Sequence, residues 1–254
     1  MDHDTGFPAF RKDALQILGP LVPPAKLFLK IGREVMSVAV SEQLPDLAKQ
    51  ISETVANSMQ SVLILACNGC GVDALKIART MFEAAVTVHY LEKHPELVQD
   101  YVDFLWIIRK KHHEYLLRLP SEEVKPVSPD KVREMESAYE RVKDRFTNRK
   151  GKPRNSWCKA SLRDMAVEVE VESMYDGLYP FGSSMTHTDM LAIVAAAGDS
   201  GDVEPVPSNA NLTLALQTAV VSYAMVLTAF DKIASLGRGD SLEAAFTQFK
   251  NASQ

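Results

Sequence analysis

Along most of the chain apolar residues return every three or four positions, the spacing of one face of an α-helix. The pattern sharpens from Pro45, where Leu47, Ile51, Val55, Val62 and Leu65 form a stripe with Asp46, Lys49, Gln50 and Glu53 off it. Asn68-Gly69 then supplies a C-terminal stop, so 45–67 is predicted as an amphipathic helix. Between Val72 and Lys93 two nearly opposite faces are apolar: Leu75, Phe82, Val86 and Tyr90 on one, Ile77, Met81, Ala85 and Val88 on the other. Only Asp73, Lys76, Thr80 and Thr87 are left for solvent, which predicts a deeply buried helix. Arg79 and Glu83 stand four apart within the first apolar face. An unpaired charge there would cost several kcal/mol, so they need each other or a polar partner from elsewhere.

Pro95 suits the first turn of a helix to about Leu119, whose basic run Arg109 to His113 reads as a solvated end favoured by the backbone dipole. Ser128 is the expected N-cap of a very polar helix over 130–149, which should lie on the surface. The stretch NRKGKPRN, 148–155, reads as a basic loop suited to solvent, a hinge or a nucleic-acid contact. Trp157 introduces a helix to about 182. Within it VEVEVE, 167–172, alternates as an edge strand does, but it has no partner strand and is assigned to the helix. Leu212, Leu216, Ala219, Val220, Tyr223, Leu227 and Phe230 stripe a long helix over 211–235, and a short one follows from Ser241 to about Lys250. Two short helical patterns in 8–40, parted by GPLVPP, read as an N-terminal extension, 1–44, to a bundle domain over 45–254. The fold expected is an all-α, multi-helix bundle of about seven to nine helices.

Composition narrows the function classes. With a net charge of -5 there is no global basic field to draw in nucleic acid or an anionic membrane. The acidic N-terminus lacks a signal-peptide pattern, and three cysteines, an odd number, fit a reducing compartment, so a cytoplasmic protein is expected. Pro205 to Phe230 has no charge, yet Asn209, Asn211, Thr213 and Gln217 interrupt it, which favours a buried helix over a membrane span. Cys67 and Cys70 have CxxC spacing, but they fall at the end of a helix and no second ligand pair follows, so ordinary thiols are expected. His89, His94, His112 and His113 make no metal-ligand spacing. Glycine-rich phosphate loops and a GxSxG elbow are absent as well, and no cofactor or metal is expected.

What remains is YDGLYPFGSSMTH, 175–187, in which Tyr175, Tyr179, Ser183 and His187 recur at four-residue intervals. One helix face would then carry two phenols, a hydroxyl and an imidazole, with a bend expected at Pro180 and Gly182. Joined to Arg79 and Glu83, these residues support two readings. A buried Arg-Glu pair satisfied by tyrosine hydroxyls can fix how two helices meet. Alternatively the group is a pocket: Arg79, Glu83 and His187 as tentative catalytic residues, with Tyr175, Tyr179 and Ser183 binding the ligand. The ligand would be a small anion, a nucleotide or a protein partner; RNA is the substrate of the hydrolase alternative. Self-association stays open.

RTMFEAAVTVHYLEKHPELVQDY, SWCKASLRDMA and YDGLYPFGSSMTH, in that order, resemble the bacterial family labelled domain of unknown function 5677, whose members pair an R-x3-E helix with a later Y-x3-S-x3-H stretch. The resemblance covers roughly 72–190. It implies an all-helical domain and marks Arg79, Glu83, Tyr179, Ser183 and His187, while Thr188 and Asp189 stand where a proline usually follows the histidine. It implies no established activity. Helical toxins and abortive-infection ribonucleases of the HEPN type are a more distant analogy, since their arginine and histidine stand farther apart than Arg109 does from His112 and His113.

Overall fold

The computed structural model describes residues 7–120, 127–187 and 209–253, with backbone alone at 7–10, 180–187 and 209–210. These residues form an all-α bundle without β-strands: α1 Phe7–Leu18, α2 Val22–Val35, α3 Gln43–Cys67, α4 Gly71–Lys93, α5 Val98–Leu116, α6 Pro129–Val142, α7 Leu162–Glu168, α8 Glu172–His187, α9 Asn209–Ile233 and α10 Gly239–Ala252. They divide into two compact units, Met1–Lys93 with Leu162–Gln254, and His94–Ser161.

In the first unit the organising element is α9, which packs most extensively on α4 and next on α3. Between Asn211 and Asp231 only Thr228 is exposed, so this helix is apolar all round because it is surrounded all round. By length and composition Asn211–Ile233 does suffice to cross a membrane, although the polar residues near its start predict otherwise; here 61% of its apolar window is buried inside the bundle. α1 and α2 add Ala14, Leu18, Ala25 and Phe28 to the same core.

The stripe on α3 lies one residue away from the predicted one. Ala48, Ser52, Val55, Ala56, Met59, Val62, Leu63 and Ala66 are buried, whereas Leu47, Ile51 and Leu65 lie at the margins. Alanine and serine make up half of that inner face, which lets α4 and α9 approach it closely, and Leu47, Ile51 and Leu65 flank the contact. Ser52 satisfies its hydroxyl by donating to the Ala48 carbonyl at 2.7 Å.

Three helices of this unit end the same way. After α3, Gly69 takes φ 84° while Cys70 N–H donates to Leu65 O and Gly69 N–H to Ala66 O, the paired bonds of a Schellman cap. Glu170, at φ 64°, repeats the arrangement after α7, and Ser235, at φ 52°, repeats it after α9. The helix predicted over 157–182 begins only at Leu162, and the Glu170 cap divides it into α7 and α8, with VEVEVE spanning the division. α8, in contrast, runs on through Pro180 and Gly182 to His187. A missing N–H removes one rung of the ladder and leaves the others.

The second unit is a helical hairpin. Phe104, Ile107, Val142 and Phe146 form its core, with Trp106, Tyr139 and Trp157 packed on them. Ser128 N-caps α6, its side chain accepting from Lys131 N–H at 3.5 Å. α6 stops at Val142 and tightens into a 3-10 turn, Lys143–Phe146, short of the 149 predicted from its charge pattern. It is also less superficial than that pattern implies, since Met135, Ala138 and Val142 are buried at helical spacing. The basic loop folds back on itself. Asn148 Oδ1 accepts from Lys150 N–H and Lys152 N–H at 2.9 and 3.1 Å, and Arg154 N–H donates to Phe146 O.

Candidate functional site

Arg79 and Glu83 occupy successive turns of α4 on the side that faces α8, a placement set by their four-residue spacing. Nη2 of Arg79 lies 2.8 Å from Glu83 Oε1. The arginine side chain is 14% exposed and the glutamate 36%, so the pair is buried at its cationic end and wet at the other. The same Nη2 donates to the Tyr179 hydroxyl at 2.7 Å, and the guanidinium carbon lies 4.5 Å from the centre of the Tyr179 ring. Tyr175 stacks on Tyr179 with ring centroids 4.6 Å apart and planes inclined by 14°. Burial, with Tyr179 adding to it, raises the pKa of the Tyr175 phenol above the ordinary value.

α8 is held in place from its first turns. Arg163 of α7 reaches Glu172 at 2.5 Å and both carboxylate oxygens of Asp176 at 3.1 Å. These exposed bonds orient more than they stabilise. Their effect is to fix the turn of α8 that carries Tyr175 and Tyr179 above Arg79.

Beside the guanidinium, a cavity of about 10 Å³ is bounded by Leu75, Arg79, Phe82, Leu178, Tyr179 and Thr218. That volume suits about one water molecule and no larger ligand. Two polar atoms at its margin, Arg79 Nε and the Thr218 hydroxyl, have no hydrogen-bond partner among the described residues, and Thr218 is only 3% exposed. Sequence reasoning missed Thr218. Its hydroxyl is one polar atom in an apolar helix, and only the packing of α9 on α4 brings it near Arg79.

The structure thus joins Arg79, Glu83, Tyr175 and Tyr179 in one cluster. Ser183 and His187 belong to the same helix as the tyrosines, but their side chains lie outside the described residues. His89 of α4 has partners of its own. The Met225 carbonyl can only accept, so His89 Nε2 carries the hydrogen and donates to it at 3.0 Å. Burial lowers the pKa of that ring, against the pull of Glu92 at 3.3 Å from Nδ1. Cys67 and Cys70 are unbridged, and burial raises the pKa of the Cys67 thiol, the reverse of an activated redox cysteine. Among the described residues no three His, Cys, Asp or Glu side chains are grouped to hold a metal ion.

No curated protein and no solved structure matches the chain. The sequence model of one family does match, over residues 54–203. This span is wider than the resemblance carried by the motifs alone, and it holds all of α4 and α8 with Arg79, Glu83, Tyr175 and Tyr179. Since it covers more than half of the sequence, the chain belongs to the family of unknown function DUF5677.

Proposed function

We propose that the crossing of α4 and α8 is a closed anion-recognition site in a non-catalytic, regulatory helical domain. The observation that carries this reading is the Tyr179 hydroxyl, 2.7 Å from Arg79, where an oxygen of an anionic ligand would otherwise sit. With only about 10 Å³ beside the guanidinium, a phosphate or carboxylate reaches Arg79 by displacing that phenol. Glu83 holds the guanidinium during the exchange, and Tyr175, Ser183 and His187 are the further ligand contacts. Three unbridged cysteines support a cytoplasmic setting.

Calorimetric titration with inorganic phosphate and with adenosine monophosphate tests the exchange. Tyr179→Phe removes the competing hydroxyl and should tighten binding about tenfold, the equivalent of one hydrogen bond to a charged group. Arg79→Gln should abolish binding. If neither anion binds the wild type or Tyr179→Phe, and Arg79→Gln only lowers the melting temperature, the cluster is a structural clasp between two helices. The hydrolase alternative uses Arg79 to stabilise negative charge and His187 as acid or base on RNA or another phosphoester. RNA cleavage that disappears in His187→Ala with an unchanged melting temperature would replace the binding reading with that one.

A further inference from the structure

A larger concavity lies elsewhere, in the helical hairpin. Between the C-terminal half of α5 and the first turns of α6 is a cavity of about 450 Å³. This is within the range of small-molecule sites, roughly 300–1,000 Å³. Its lining is mostly apolar, with Trp106, Ile108 and Leu116 from α5 and Val132 and Met135 from α6. Ile108 is 52% exposed and Val127, also in the lining, 42%, so this apolar surface is open to solvent rather than sealed in the core.

The polar groups around it are mainly cationic or hydrogen-bond donors. Trp106, Arg109 and His113 follow one another at intervals of three and four on α5, and His112 and Lys131 complete the rim. The Arg109 guanidinium carbon stands 4.8 Å from the centre of the Trp106 ring, which fixes the charge at the edge of the apolar surface. Neither Arg109 nor Lys131 has a carboxylate within ion-pair distance among the described residues, whereas nearby Lys110 is paired with Glu114 and Glu136. Glu134 is the one acidic group in the lining. The solvated helix end expected from the run Arg109 to His113 is therefore one wall of a cavity.

We propose that this cavity binds a small amphipathic organic anion, its apolar body against Trp106, Val132 and Met135 and its single anionic head at Arg109 and Lys131. Apolar walls alone would take a neutral ligand as readily, and exposed cations alone would take any anion weakly. Their combination selects a molecule with both parts.

Isothermal titration of the full chain with octanoate and with 2-naphthoate tests this, with acetate (head without body) and octylammonium (body with the opposite charge) as controls. The expected result is saturable one-to-one binding of octanoate or 2-naphthoate, at least tenfold tighter than either control. Arg109→Gln with Lys131→Gln should weaken it tenfold or more, and Val132→Trp, which fills the cavity, should abolish it, each with a circular-dichroism melt like the wild type. Should the double variant unfold, Arg109→Gln and Lys131→Gln singly give the same reading. Arg79→Gln should leave this binding unchanged, which separates it from the anion site proposed above. The proposal is overturned if neither carboxylate saturates, if octylammonium binds as well, or if affinity survives the charge or the filling variant.

Discussion

Tyr179 and Tyr223 are both tyrosines at helix crossings, and the bundle uses them in opposite ways. Tyr223, on α9, is 0% exposed, its ring edge-on to Phe28 with centroids 5.5 Å apart. Its hydroxyl has no hydrogen-bond partner among the described residues and points at the backbone of α2, where a β-carbon on Gly32 would stand 2.1 Å from it. Desolvation drives its pKa far above the ordinary phenol value. Tyr179, on α8, is half-buried and its hydroxyl oxygen accepts a hydrogen bond from Arg79. At Tyr223 the ring supplies shape and the oxygen is a burden of about 1–3 kcal/mol. At Tyr179 the oxygen is what makes the contact specific. A buried phenol is thus informative about function only when its partner is known.

The largest test of this contrast is Gly32→Ala. The added methyl would meet Tyr223 Oη at 2.1 Å, Cζ at 2.6 Å and Leu227 Cδ1 at 2.7 Å. Overpacking against a filled core should cost about 3 kcal/mol in urea denaturation. A wild-type midpoint would show that α2 and α9 are not held so close. Tyr179→Phe should cost about 1 kcal/mol, less than a fully buried charged hydrogen bond because the site is partly wet. No loss at all would make the Arg79 contact incidental. Glu170→Gly, which relieves a left-handed glutamate in the cap ahead of α8, should raise stability by about 1 kcal/mol in the same assay. Smallest in net effect is Tyr223→Phe, where relief of the unpaired oxygen is offset by the packing it loses against Gly32, so stability should stay within about 0.5 kcal/mol of wild type or rise slightly. A loss well beyond that would reveal a partner for the buried hydroxyl and erase the contrast.

Much of this architecture can be read from residue spacing. The helical periods at 45–67, 72–93 and 211–235 correspond to α3, α4 and α9, because long elements with strong apolar faces declare themselves. Asn68-Gly69 likewise marks the end of α3. Glu170 and Ser235 do not, since a left-handed cap at a non-glycine residue leaves no local signature, and VEVEVE thereby conceals a break. The inner face of α3 was hidden for a related reason: alanine and serine are there to admit neighbouring helices, and a stripe drawn through the larger aliphatics misses them. At the candidate site, the need of Arg79 for a partner follows from its apolar surroundings. That Tyr179 meets it depends on how α8 crosses α4, and Thr218 enters only through the third helix.

Because α9 is the most enclosed of the described helices and follows α3 and α4 in the sequence only after four intervening helices, those two cannot be covered in the order in which the chain is made. A nascent chain that has extended through α8 still carries the faces of α3 and α4 that α9 will cover, and their apolar surface stays open to chaperones or to neighbouring chains until α9 has left the ribosome.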